Sequence, residues 1–249
     1  MAQNRRSFLS MAALSAGAVT FSSPLYGKSV QKTHSESDIP SIIERLQPMT
    51  EGIVPITDAE RKQRIAKAQQ LMDQLKIDAI FLEGTVSCFY FTGMRWGQSE
   101  RTFGIVIPSK GSIAYICPKF EEDRAMELIN PAFGTELRCW EEHESPYEVI
   151  LGVIKDKGVK HHRIGMEERV RFFIADGVKK IATGFEIVDA TPVTAGCRMY
   201  KTKTELALMQ RASDVTIEAY KAAFATIRPG MSQTELSSNI SAAFRKLGF

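Results

Sequence analysis

The chain has 249 residues, 44% of them hydrophobic and 24% charged, with a formal net charge of +3. That composition describes a soluble globular protein of one or two domains. The small charge gives no support for nucleic-acid binding, which usually shows a strongly basic patch or stripe, and no apolar run approaches the ~18 residues that a membrane span needs.

The N-terminal stretch Asn4-Arg5-Arg6-Ser7-Phe8-Leu9 sets a twin-arginine pair, Arg5 and Arg6, ahead of a weakly apolar segment. That segment, Met11 to Phe21, is rich in Ala, Gly and Ser. Together they predict a Tat-type signal over residues 1–28 and a periplasmic or otherwise exported protein, with no good A-x-A cleavage site before Lys28. Residues 29–56 are polar, contain Pro40, Pro48 and Pro55, and read as a linker holding one short helix at Ser41–Leu46.

Thr57-Asp-Ala-Glu60 is a capping box that opens a helix with Ile65, Ala68, Leu71, Met72 and Leu75 on one face. Asp78–Leu82 reads as a buried strand, and Ser87–Phe91 as a short aromatic helix closed by Gly93. Thr102–Ile107 and Ser112–Cys117 are apolar strands joined by the turn Pro108-Ser-Lys-Gly111. A helix at Phe120–Ile129, a strand at Leu137–Trp140 and a helix at Tyr147–Lys157 follow. Then come a strand at Arg163–Met166, a helix at Arg169–Ala182 and a strand at Phe185–Asp189. Helices alternating with short strands around one hairpin imply a mixed sheet covered by helices, self-sufficient over residues 57–195.

Beyond Pro192 two strandless helices follow, each opened by a capping box, Thr202-Lys-Thr-Glu205 and Ser232-Gln-Thr-Glu235. The first has an expected inner face of Leu206, Met209, Ile217, Tyr220, Phe224 and Ile227, and the second a stripe of Leu236, Ile240, Ala243, Phe244 and Leu247. Two helices alone cannot enclose both stripes, so residues 196–249 read as the opening of a second domain.

Candidate chemistry is sparse. His161 and His162 are adjacent, point to different faces and sit between Lys160 and Arg163, which marks a solvated loop. The acidic runs Glu121–Asp123 and Glu141–Glu144 lack the spacing of a cation loop. Cys88, Cys117, Cys139 and Cys197 have no metal-site spacing; buried free thiols are expected, with one disulfide possible in an oxidising compartment. No nucleophile elbow, phosphate loop or H-E-x-x-H is present. The densest unusual stretch runs from Phe89 to Arg101. There Tyr90, Arg95, Trp96, Glu100 and Arg101 can line a ligand wall, rings giving area and arginine giving carboxylate recognition, or build a structural turn.

The stretches "DAIFLEGTVSCFYFTG", "FGIVIPSKGSIAYICP" and "DATPVTAGCRMYKTKTELALMQRASDVTIEAYKAAFATIRPGMSQTEL" resemble the creatinase/aminopeptidase P/prolidase family. The resemblance implies an N-terminal α/β domain with a ribonuclease-H-like mixed sheet, over residues 57–195, followed at 196–249 by the start of a pita-bread metallopeptidase domain. It implies a metal-dependent exopeptidase of the Xaa-Pro aminopeptidase or dipeptidase type, hydrolysing small peptides beside proline. Two divalent ions, Mn, Zn or Co, on two Asp, one His and two Glu would activate hydroxide. Those five ligands lie beyond the second helix of that domain in the family, so no metal ligand or catalytic residue is assigned here and the chain alone is expected to be inactive. The family also implies a homo-oligomer, with Tyr90, Arg95, Trp96, Glu100 and Arg101 as candidates for substrate lining or subunit contact. The alternatives are a non-catalytic α/β module for oligomerisation or peptide binding, and a creatinase-like amidinohydrolase.

Overall fold

The computed structural model describes residues 39–249; the twin-arginine segment lies outside the described residues. At its centre is a six-stranded mixed sheet in the order β4-β3-β2-β1-β5-β6. The strands are β1 (Ala79–Glu83), β2 (Gly104–Pro108), β3 (Ala114–Pro118), β4 (Glu136–Trp140), β5 (Arg163–Met166) and β6 (Glu186–Asp189). β2 runs antiparallel to both β1 and β3, while β3–β4, β1–β5 and β5–β6 are parallel. The expected hairpin is therefore β2–β3, its turn carrying Gly111 at φ 98°.

Every residue of β1, β2 and β3 is buried, because helices cover both faces and leave no polar side for the usual alternation. Counting α1 (Ser41–Glu44) first, one face carries α2 (Asp58–Leu75), α3 (Val86–Thr92), α4 (Glu122–Leu128) and α7 (Thr191–Arg198). Their Ala68, Met72, Phe91, Ala125 and Val193 pack on Ile80, Leu82, Ile105 and Tyr115. The other face carries α5 (Pro146–Asp156) and α6 (Phe172–Ile181), whose Ile150, Ile154, Ile174 and Val178 pack on Phe81, Val106, Ile116 and Ile164. α7 was not expected from the sequence, although Pro192 in its first turn is a helix-start signal. The helix expected from Arg169 begins instead at Phe172, since Arg171 is extended and commits its main-chain N–H to the side chain of Glu83.

α8 (Lys203–Phe224) and α9 (Gln233–Lys246) pack on each other through small residues, Val215, Ala219, Ala222, Ala242 and Ala243. This reverses the expected face of α8. Leu206, Met209, Ile217, Tyr220, Phe224 and Ile227 are the exposed side, each at least 43% accessible. Leu247 is buried rather than free, because α1 folds back and seats the fully buried Ile43 beside it. Residues 39–51 are thus a strap rather than a slack linker: the Met49 N–H donates to the Leu247 carbonyl at 2.9 Å, and the Arg211 guanidinium donates to the Met49 and Glu51 carbonyls. The capping boxes at Thr57 and Thr202 are complete. At Ser232 only half forms, the Glu235 carboxylate turning to Arg228 at 2.7 Å.

Candidate functional site

The chain leaves β1 toward β2 on one side and leaves β5 toward β6 on the other, although β1 and β5 are parallel neighbours. Strands that diverge in this way open a crevice at their C-terminal ends, the usual ligand position in such sheets. An open cleft of about 530 Å³ lies there, walled by Thr85 and Val86 after β1, Phe89 on α3, the loop carrying Arg95 and Trp96, and Arg169 after β5. Its lining combines apolar and aromatic area with two guanidinium groups. Among the described residues neither Arg95 nor Arg169 has a carboxylate partner within salt-bridge reach. Such a surface can take a carboxylate attached to an apolar group.

The stretch Phe89–Arg101 is split by the fold. Arg95 and Trp96 reach the cleft. Arg95 lies 5.0 Å over the Phe89 ring, and Trp96, only 8% exposed, stacks on Phe103 at 3.7 Å with the Arg124 guanidinium 4.3 Å from its ring. A side chain on Gly84 would meet Trp96 and Phe103 at 2.9 Å, so glycine is what allows this stack against β1. Tyr90 faces away from the cleft. Arg64 lies 4.0 Å over its ring, its hydroxyl donates to the Cys197 carbonyl at 3.2 Å, and burial pushes that hydroxyl up to about 12. It bolts α3 to α2 and α7. Glu100 and Arg101 are at the surface, Arg101 pairing with Glu100 and, at 2.6 Å, with Glu142.

Two residues that the sequence did not single out hold this loop. Glu83, 1% exposed at the end of β1, accepts from the Arg171 guanidinium at 2.6 Å and from its main-chain N–H at 3.2 Å. The same guanidinium donates to the carbonyls of Ser99 and Arg101, at 2.6 and 3.3 Å. Glu83, Arg171 and residues 99–101 are therefore one linked unit, built from positions more than eighty residues apart in the chain. The available sequence signal was a carboxylate ending an otherwise apolar strand. Nearby Glu167, 4% exposed, accepts from the Ser87 hydroxyl at 2.7 Å through one oxygen while the other has no partner, and burial raises its pKa.

The His161 main chain donates to Asp78, and His162 sits in the left-handed region at φ 56°. The two acidic runs form surface ion pairs, Glu121 with Arg124, Glu122 with Lys119 and Glu142 with Arg101. Among the described residues no group of three or more His, Cys, Asp and Glu side chains is placed to hold a metal ion. These residues do not fit the metal pair that the family resemblance implies.

The family model for the Creatinase/Prolidase N-terminal domain matches residues 64–200. The chain belongs to this family. An uncharacterized peptidase of Schizosaccharomyces pombe is 31% identical over 242 residues, covering 91% of this chain and 51% of its own. Dipeptidase PepE from Mycobacterium ulcerans superposes with a TM-score of 0.69 at 20% identity over 78% of this chain and 52% of its own. A prolidase from Thermococcus sibiricus gives 0.65 at 21% identity over 77% and 50%. These two likenesses establish the fold: a mixed α/β sheet of the creatinase N-terminal type. The chain spans about half the length of the curated relatives it matches.

Proposed function

We propose that this chain is the N-terminal part of an exported, metal-dependent exopeptidase that hydrolyses a peptide bond beside proline. The observation that carries the reading is its membership of the Creatinase/Prolidase N-terminal family, with similar proteins named as a peptidase, a dipeptidase and a prolidase. In this reading two divalent ions would be held by residues outside those described here and would supply Lewis acidity for the hydrolysis. The residues described here provide no ligand for them. Their contribution is recognition and assembly: Arg95 and Arg169 draw a peptide carboxylate, the cleft floor takes an apolar side chain, and the 95–101 loop meets a neighbouring subunit in a homo-oligomer. The exposed apolar side of α8 supports a larger body packed there, since five large apolar side chains on one helix face are costly in water. Arg5 and Arg6 support export.

A titration separates this from a purely structural cleft. The free-carboxylate dipeptide Ala-Pro should bind the purified chain, and its C-terminal amide should bind at least ten-fold more weakly. Arg95→Gln combined with Arg169→Gln should abolish that difference. Equal binding of acid and amide by the unsubstituted chain removes carboxylate recognition from the proposal. The second reading, a non-catalytic module, draws on the two-sided core of the α/β unit. DNA that runs in frame beyond Phe249 and encodes two Asp, one His and two Glu in the family pattern would exclude it.

A further inference from the structure

We infer that Cys117 and Cys139 form an oxidation site: a small-molecule disulfide converts this pair into a cross-link that clamps β4 to β3. Cys117 and Cys139 are direct register partners in the parallel β3–β4 ladder. Both side chains lie on the same face of the sheet, with Tyr115 and Leu137 one alternation earlier on the two strands. Neighbouring strands lie about 4.8 Å apart, which sets register partners inside the ~4.4–6.8 Å window of Cα separations that disulfides span. No other pairing has such support. Cys88 is on α3 and Cys197 on α7, and neither stands opposite another cysteine in the sheet.

Both thiols are reduced in the structure. Cys117 is fully buried and donates to the Pro118 carbonyl at 3.3 Å; Cys139 is partly exposed and faces the Glu122 carboxylate at 3.6 Å. Among the described residues β4 is the edge strand of the sheet, so no further strand holds it in place while the bond closes. Accessibility fixes the order of events. The Cys139 thiolate attacks one sulfur of oxidised glutathione, displacing one glutathione thiolate and leaving a mixed disulfide on Cys139. The Cys117 thiolate then attacks the Cys139 sulfur and expels the second glutathione. One glutathione disulfide is reduced to two thiols, which take up the two protons, and the protein loses two hydrogens. Burial pushes Cys117 up to about 12 and Cys139 up to about 11, so thiolate is scarce at neutral pH and the reaction is expected to quicken with rising pH.

The test incubates the full chain with oxidised glutathione at pH 8.5, alkylates free thiols, digests without reduction and maps linked peptides by mass spectrometry. The expected product joins Cys117 to Cys139. It should raise Tm by roughly 5 °C or more through closure of the intervening loop, a gain that dithiothreitol reverses. Cys139→Ser should yield no linked peptide and no oxidant-dependent change in Tm; the mapping of the unsubstituted chain stands even if that variant folds poorly. A stable mixed disulfide at Cys139 that never resolves, a linkage through Cys88 or Cys197 instead, or full alkylation of Cys117 and Cys139 after prolonged oxidation would each overturn the inference.

Discussion

The carboxylate of Asp78, 3% exposed just before β1, accepts main-chain N–H groups of Lys160, His161 and Arg163 at 2.9–3.1 Å. Burial is the largest single influence on it and would raise its pKa, but these donors together bring it below its ordinary 3.8. A carboxylate depressed in the folded state stabilises the protein above its unfolded pKa and loses that contribution as pH falls through the folded value. Asp78→Asn should therefore cost about 1–2 kcal/mol at pH 7, and the difference should shrink below pH 3.8. Glu167 has the opposite sign. Burial raises it above 4.5, so the native state keeps a proton that the unfolded chain releases, and stability falls as pH rises from 4.5 through the raised value. Urea midpoints from pH 4 to 8 should show Glu167→Gln gaining on the unsubstituted protein as pH rises. A constant gap across that range would contradict the assignment. Neither residue stood out in the sequence, because a buried carboxylate is identified by partners that only the fold brings near. The aromatic and arginine-rich stretch did stand out, and the fold divided it: Arg95 and Trp96 at the cleft, Tyr90 in a packing joint, Glu100 and Arg101 in surface pairs.

The strands and the two long helices were legible as elements, because apolar runs and capping boxes are local signals. Which face of α8 turns inward was not. Hydrophobicity favoured the bulky stripe through Leu206 and Phe224, and the small stripe through Ala219 and Ala223 was not singled out. Packing against α9 and α1 selected the small one, since close helix contact needs small side chains. The consequence is measurable. Ala219→Leu should overpack the α8–α9 contact and cost about 1–3 kcal/mol by chemical denaturation. Phe224→Ser, at a side chain 55% exposed, should change stability by less than about 0.5 kcal/mol. The reverse order of effects would restore the bulky stripe as the inner face.

Across the whole molecule, the α/β unit and the α8–α9 unit meet through few but specific contacts. Arg64, 8% exposed on α2, donates to the Glu205 carboxylate at 2.8 Å and to the Tyr90 carbonyl at 2.7 Å, tying the start of α8 to α2 and α3. Between α7 and α8, Met199 and Tyr200 are 64% and 78% exposed. Limited trypsin digestion should cut first after Lys201 or Lys203 and leave the sheet and its helices intact; earlier loss of the sheet would contradict the division. Family membership is clear from order and spacing of motifs along the chain, whereas the catalytic chemistry is not, because no metal-binding constellation exists among the described residues.

The proposed function has this chain carry recognition while the reaction belongs to a catalytic part downstream. Its most direct test is proline-adjacent peptide hydrolysis in Mn, Zn or Co, measured side by side for the 249-residue chain and for the same chain extended in frame to the length of its relatives. The extended protein should release the residue preceding proline in a metal-dependent reaction, and the shorter one should release none. Turnover by the 249-residue chain, or none by an extended protein that folds and binds metal, would contradict it.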